Sequence, residues 1–263
     1  MEENYRRYPI GIQNFEQLRN RNCVYVDKTE LVYRLANTDS VYFLSRPRRF
    51  GKSLLVSTLE AYFQGKKDLF KGLAMERLEK DWNVYPVFHI DFSLTKYTTL
   101  FDLQEQLNLF LLRCEKVYGA EKEEKTPAAR LQGMIRRAYE QTGLPVVVLI
   151  DEYDAPLLDS NSNIPLQQEL RNELRKFFSP LKGLGQYLRF LFITGISKFS
   201  QMSIFRYRNR TFGIGPAFNQ TESIPYLITE VTSLFAKCII EKDVVSGRSR
   251  KHHTHTYPVG TVL

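Results

Sequence analysis

The stretch from Val41 to Val56 constrains this chain most. An apolar, β-favouring run, Val41-Tyr42-Phe43-Leu44, passes through the basic turn Arg46-Pro47-Arg48-Arg49-Phe50 into Gly51-Lys52-Ser53 and then an amphipathic helix. A strand feeding a Gly-Lys-Ser turn at a helix start leaves backbone N–H groups unpaired and presents the positive end of the helix dipole. Lysine adds an ammonium for β- and γ-phosphates, and serine a hydroxyl for Mg²⁺. Arg49, Phe50, Gly51, Lys52, Ser53 and Leu54 are therefore the expected phosphate cradle. Leu54, Leu55, Thr58, Leu59, Tyr62 and Phe63 continue at helical spacing, and Gly65 stands where that helix should end.

Three more buried strands are expected. They are Val87 to Asp91, Val146 to Ile150, and Arg189 to Gly195. The five apolar residues of Val146-Val147-Val148-Leu149-Ile150 read as a strand covered on both faces, which belongs in a parallel sheet. Between the strands, Leu103, Leu107, Leu111 and Cys114 mark one helix, a second runs from about Pro127 to Gln141, and Leu166 to Leu181 mark a third. The polar block Glu121 to Lys125 reads as a solvated loop, and His89 as a packed strand residue. Asp27 followed by Glu30 has the spacing of a capping box, with a place beside the nucleotide as the alternative. Alternating strands and helices predict a doubly wound α/β fold of three layers with a mainly parallel sheet.

Chemistry gathers where carboxylates meet strand ends. Asp151 and Glu152 follow the third strand, at the carboxyl edge where open α/β sheets bind ligands. Asp151 with Ser53 can hold Mg²⁺, and Glu152 can polarise an attacking water. A strand-end turn or helix cap would also explain the acidic pair on its own. Thr194 closes the fourth strand with a hydroxyl that can orient water or sense a γ-phosphate, with Ser197 and Lys198 close behind; turn chemistry competes for all three. Where the full pattern G-x-x-x-x-G-K-[ST] begins with glycine, this chain has Arg46, biased toward extended backbone by Pro47. Arg46, Arg48 and Arg49 add charge at the phosphates or are solvated loop arginines, and the sequence assigns none as an arginine finger.

Composition sets looser bounds. With 263 residues, 43% of them hydrophobic and 25% charged, the chain can fill one large α/β domain. A net charge of +8 favours polyanionic partners without requiring nucleic acid. Cys23, Cys114 and Cys238 lack metal-ligand or disulfide spacing, and neither a leader nor a membrane span is read, so a cytoplasmic location is expected. Beyond about Phe205 the periodicity fades, leaving one helical stretch near 226–241, the arginines at 206, 208 and 210, and a His-rich end read as a solvated tail. The expected organisation is thus a lead-in over 1–40, a nucleotide-binding core over 41–205, and an irregular segment over 206–263. That last segment is read as truncated or frame-shifted from a longer ancestor.

These residues resemble the bacterial AAA-ATPase-like family of P-loop proteins. The resemblance rests on Tyr8-Pro9-Ile10-Gly11-Ile12 with Phe15, on Tyr25-Val26-Asp27-Lys28-Thr29, and on Arg46 through Ser53. It continues in Leu59-Glu60-Ala61-Tyr62-Phe63, Asp151-Glu152-Tyr153-Asp154 and Thr194 through Ser200. It implies ATP binding at Lys52 and Ser53 with Asp151 and Glu152 as the acidic pair, Arg46 as the usual form of the loop, and the sheet order 5-1-4-3-2. The fifth strand, due after Thr194, is not legible, so the sheet is expected to be incomplete on its C-terminal side. Many family members carry a nuclease-like domain further along, but no matching carboxylate and lysine set follows Phe205. Three readings compete: an ATPase, a non-hydrolysing nucleotide-dependent interaction module, and a basic nucleic-acid-binding protein; oligomerisation is left open under each.

Overall fold

The computed structural model describes residues 7–196. In chain order the elements are α1 (Phe15–Asn20), α2 (Thr29–Thr38), β1 (Val41–Ser45), α3 (Lys52–Phe63), α4 (Ala74–Leu78), β2 (Val87–Asp91), α5 (Leu100–Tyr118), α6 (Pro127–Thr142), β3 (Val146–Asp151), α7 (Ala155–Asp159), α8 (Ile164–Phe178) and β4 (Leu188–Gly195). All four expected strands form. They pair in parallel in the order β1-β4-β3-β2, which is the 1-4-3-2 part of the expected order. The place of a fifth strand, the 226–241 helix, Ser197, Lys198 and the whole of 206–263 lie outside the described residues.

Every residue of β3 is buried, as its unbroken apolar run requires of a strand between two others and between two helical layers. One face of the sheet, including Phe88, Val148, Ile150 and Ile193, packs on Leu103, Leu107, Leu131, Ile135, Leu170 and Leu174 of α5, α6 and α8. The other, including Tyr42, Leu44, Leu149, Phe190 and Phe192, packs on Val32 and Leu35 of α2 and on Leu55, Leu59 and Phe63 of α3. Each fully buried Leu, Ile or Phe contributes about 1.5–3 kcal/mol relative to exposure, so the two-sided core holds the strand ends in fixed register.

Two local expectations change. Lys28, not Asp27, occupies the N-cap of α2 and makes no side-chain cap bond. Asp27 instead accepts from the Thr29 N–H at 2.9 Å and hydroxyl at 2.7 Å, and its other oxygen accepts from the Ala74 N–H at 2.7 Å. The Thr29 hydroxyl accepts from the Met75 N–H at 3.0 Å, so this pair joins the starts of α2 and α4. A true capping box forms at α5, between Thr99 and Asp102. The polar block at 121–125 is not freely solvated either: Glu124 accepts two bonds from Arg137 of α6, at 2.5 and 3.0 Å.

The lead-in is fastened to the core. Phe15, fully buried, donates its N–H to Ser57 Oγ of α3 at 3.0 Å, and Lys66 pairs with Glu16 at 2.6 Å. Among the described residues, no helix is long and apolar enough to cross a membrane, and Cys23 and Cys114 are free thiols.

Candidate functional site

The loop after β1 is pinned before it turns. The Arg46 N–H donates to the Gly195 carbonyl at 3.0 Å, and Ser45 Oγ to the Ile196 carbonyl at 2.9 Å, so the loop leaves the sheet beside the end of β4. Arg49 at φ +68° and Gly51 at φ +74° then reverse the chain into α3. Gly51 tolerates that left-handed conformation without steric cost, whereas Arg49 is held in it against preference. Lys52, only 4% exposed, extends its ammonium back over the loop to the carbonyls of Arg46 and Pro47 at 3.1 and 3.2 Å. It also lies 3.9 Å from Glu152 Oε1.

The carboxylates arrive from β3. Asp151 is 2% exposed, and burial raises its carboxyl above the usual range, while hydrogen bonds from Thr194 and Ser53 pull it down. The Thr194 hydroxyl, fully buried, donates to Asp151 Oδ1 and accepts from the Glu152 N–H at 3.1 Å. Its carbonyl accepts from the Tyr153 N–H at 3.0 Å. Glu152 therefore turns away from the strand at φ +50°, a strained conformation for a non-glycine residue. Burial raises its carboxyl too, with Asp151 adding to the rise and Lys52 and Arg48 opposing it.

These groups border a cavity of about 800 Å³. Arg49, Gly51, Lys52, Ser53, Leu54 and Glu152 line it, joined by Arg48; Phe50, Asp151 and Thr194 do not. Asp151 and Thr194 are buried beside Glu152, and Phe50, expected in the cradle, is not among the wall residues. Two walls were not foreseen. One is the lead-in, through Tyr8, Pro9, Gly11, Ile12, Gln13, Leu18 and Val24 to Val26. The other is the turn after β2 with α7, through Ser93, Thr95, Lys96, Ala155 and Asp159. Lys96 pairs with Asp159 across it at 2.9 Å.

The register adds one more acid. Asp91 ends β2 directly beside Asp151, and a signal for it was available, because Val87 to Asp91 ends in aspartate just as Val146 to Asp151 does. His89 packs in the strand as expected, but its Nδ1 lies 3.0 Å from Glu60 Oε2 of α3, and that carboxylate raises the imidazole against the opposing effect of burial.

Among the described residues no group of three or more His, Cys, Asp or Glu side chains is arranged to hold a metal ion. Magnesium does not need one, since it takes one or two protein oxygens and fills its shell with water and substrate phosphates. The Ser53 hydroxyl and the buried Asp151 carboxylate, already hydrogen-bonded to each other, are donors of that kind, so the residues fit the ion.

A parallel 1-4-3-2 sheet, with a Gly-Lys-Ser loop after its first strand and acids ending its third, defines a P-loop nucleoside-triphosphate-binding fold. The chain belongs to the predicted AAA-ATPase family, whose model matches residues 9–205, and nucleotide binding is the property this membership supports. It is 36% identical over 233 residues to a protein of Azotobacter chroococcum mcd 1 described as an uncharacterized protein in the vnfD 5' region. That match covers 88% of this chain and 45% of the relative, so the chain spans less than half the relative's length. No solved structure matches.

Proposed function

We propose that this chain binds ATP with Mg²⁺ in the 800 Å³ cavity and hydrolyses it. The observation that carries the reading is the convergence of Lys52, Ser53 and Glu152 on one cavity wall, with Asp151 directly behind them. Lys52 and the turn amides from Arg49 to Leu54 hold the phosphates, and the lysine exchanges two loop carbonyls for phosphate oxygens. Ser53 and Asp151 would hold Mg²⁺, which when bound offsets charge on the β- and γ-phosphates. Glu152 accepts a proton from the attacking water. Burial raises its carboxyl, which makes it a stronger base than an ordinary glutamate. Thr194 acts through both acids: one hydroxyl fixes the Asp151 carboxylate and the Glu152 backbone. The apolar side chains of Ile12, Leu18 and Val24 give the base a surface to lie on.

Nucleotide binding and phosphate release by wild type, Lys52→Ala and Glu152→Gln test this. Lost binding in the first variant, and binding without turnover in the second, are expected. Wild-type binding with no turnover would replace the ATPase with a nucleotide-dependent interaction module, and absence of binding would end both readings.

A further inference from the structure

We propose that Arg48, inside the phosphate loop, places its guanidinium on the γ-phosphate and stabilises the transferring phosphoryl group, so that this chain supplies its own catalytic arginine. The inference rests on the ATPase reading and names a further catalytic residue for it.

Among the described residues four cations line the cavity: Arg48, Arg49, Lys52 and Lys96. Two are already engaged, Lys52 by loop carbonyls and Glu152, and Lys96 by Asp159 at 2.9 Å. Arg48 and Arg49 have neither a hydrogen bond nor an ion pair among the described residues, although Arg130 and Arg137 elsewhere in them are both paired with carboxylates. Adjacent unpaired guanidinium groups beside a lysine repel one another, an arrangement that a polyanion in the cavity would reverse. A guanidinium matches a phosphoryl group better than an ammonium does, because its planar fork donates two parallel bonds.

The two arginines are not equivalent. Arg48 is one of the charges that hold the Glu152 carboxyl down, so it stands within electrostatic reach of the proposed base on the cavity wall, whereas Arg49 is committed to the left-handed turn into α3 at φ +68°. Pro47 restricts the backbone before it, and the Arg46 bond to Gly195 ties the same turn to β4. Arg48 is thus mounted on a short braced turn at the cavity wall.

The test uses the full chain and compares wild type, Arg48→Ala, Arg48→Lys and Arg49→Ala, with thermal melting as a folding control. Readouts are Mg-ATP turnover over a range of protein concentrations, ATP affinity, and capture of ADP with aluminium fluoride, which mimics the transferring group. Arg48→Ala should keep ATP affinity, lose turnover by about 100-fold or more, fail to capture ADP with aluminium fluoride, and regain turnover when guanidinium ion is added. Arg48→Lys should recover little, and wild-type turnover per molecule should not rise with concentration. Turnover in Arg48→Ala equal to wild type would overturn the proposal and leave the ATPase reading standing. A loss of affinity matching the loss of turnover would reassign Arg48 to binding and also overturn it. Wild type that binds ATP and never turns it over would overturn both.

Discussion

Thr194 uses a single hydroxyl twice, as donor to Asp151 and acceptor from the Glu152 N–H, at a fully buried position. Thr194→Val keeps the shape and removes both bonds, leaving a buried carboxylate and a buried N–H short of a partner. We expect a loss of about 1–3 kcal/mol in denaturant unfolding, together with reduced turnover; an unchanged unfolding midpoint would contradict this role. Glu152 carries the pH dependence. A general base works ionised, and burial raises the Glu152 carboxyl above its ordinary 4.5, so activity should fall with decreasing pH while an ordinary glutamate would still be ionised. The acidic limb of kcat/KM should therefore lie above that ordinary value and vanish in Glu152→Gln along with activity. A limb at or below the ordinary value would exclude Glu152 as the titrating base. The chemical types at this scale were legible in the sequence, since Lys52 and Ser53 open an apolar helical run and Asp151 and Glu152 follow the unbroken apolar run Val146 to Ile150. Their side-chain directions were not legible: that Thr194 turns behind the acids, and that Asp27 reaches Ala74 at 2.7 Å, depends on contacts between segments distant in sequence.

Elements decide where those residues meet. Parallel pairing sets Asp91 beside Asp151 and Ser45 beside Gly195, so the ends of β1 to β4 deliver the loop and the acids to one edge of the sheet. Gly195 is the tightest point of that edge. A Cβ there would run into Tyr153 Cε1, come within 2.7 Å of its Cδ1, and lie 2.9 Å from Asp154 Oδ1. Tyr153 is buried against Phe43, with ring centroids 5.3 Å apart, and follows Glu152 directly. Gly195→Ala should cost about 1–3 kcal/mol and lower turnover by displacing Glu152; a thermal melt and rate matching wild type would refute it. The strands and long helices were legible because their apolar spacing is regular, as in the buried β3 and in Leu103, Leu107 and Leu111 of α5. The short α1 and α7 were not, because five or six residues hold too little periodicity to read. The cavity wall formed by residues 8–26 escaped for a related reason: its mixed aromatic and polar residues acquire a common direction only when Phe15 and Ser57 join the lead-in to α3.

At the scale of the molecule, the sheet between two helical layers is a rigid mount, and the cavity at its carboxyl edge is shared by the phosphate loop, the lead-in and the turn after β2. Nucleotide would thus touch segments far apart in sequence, which suits a fold that couples its bound state to motion elsewhere. The chain spans less than half the length of its relative. The central claim is that Lys52, Ser53, Asp151 and Glu152 make a hydrolytic site, and phosphate release by Glu152→Gln, measured beside its ATP affinity, tests it most directly. Wild-type release under Mg²⁺, with retained ATP affinity and no release in the variant, is the expected result. Undiminished release from Glu152→Gln would contradict it.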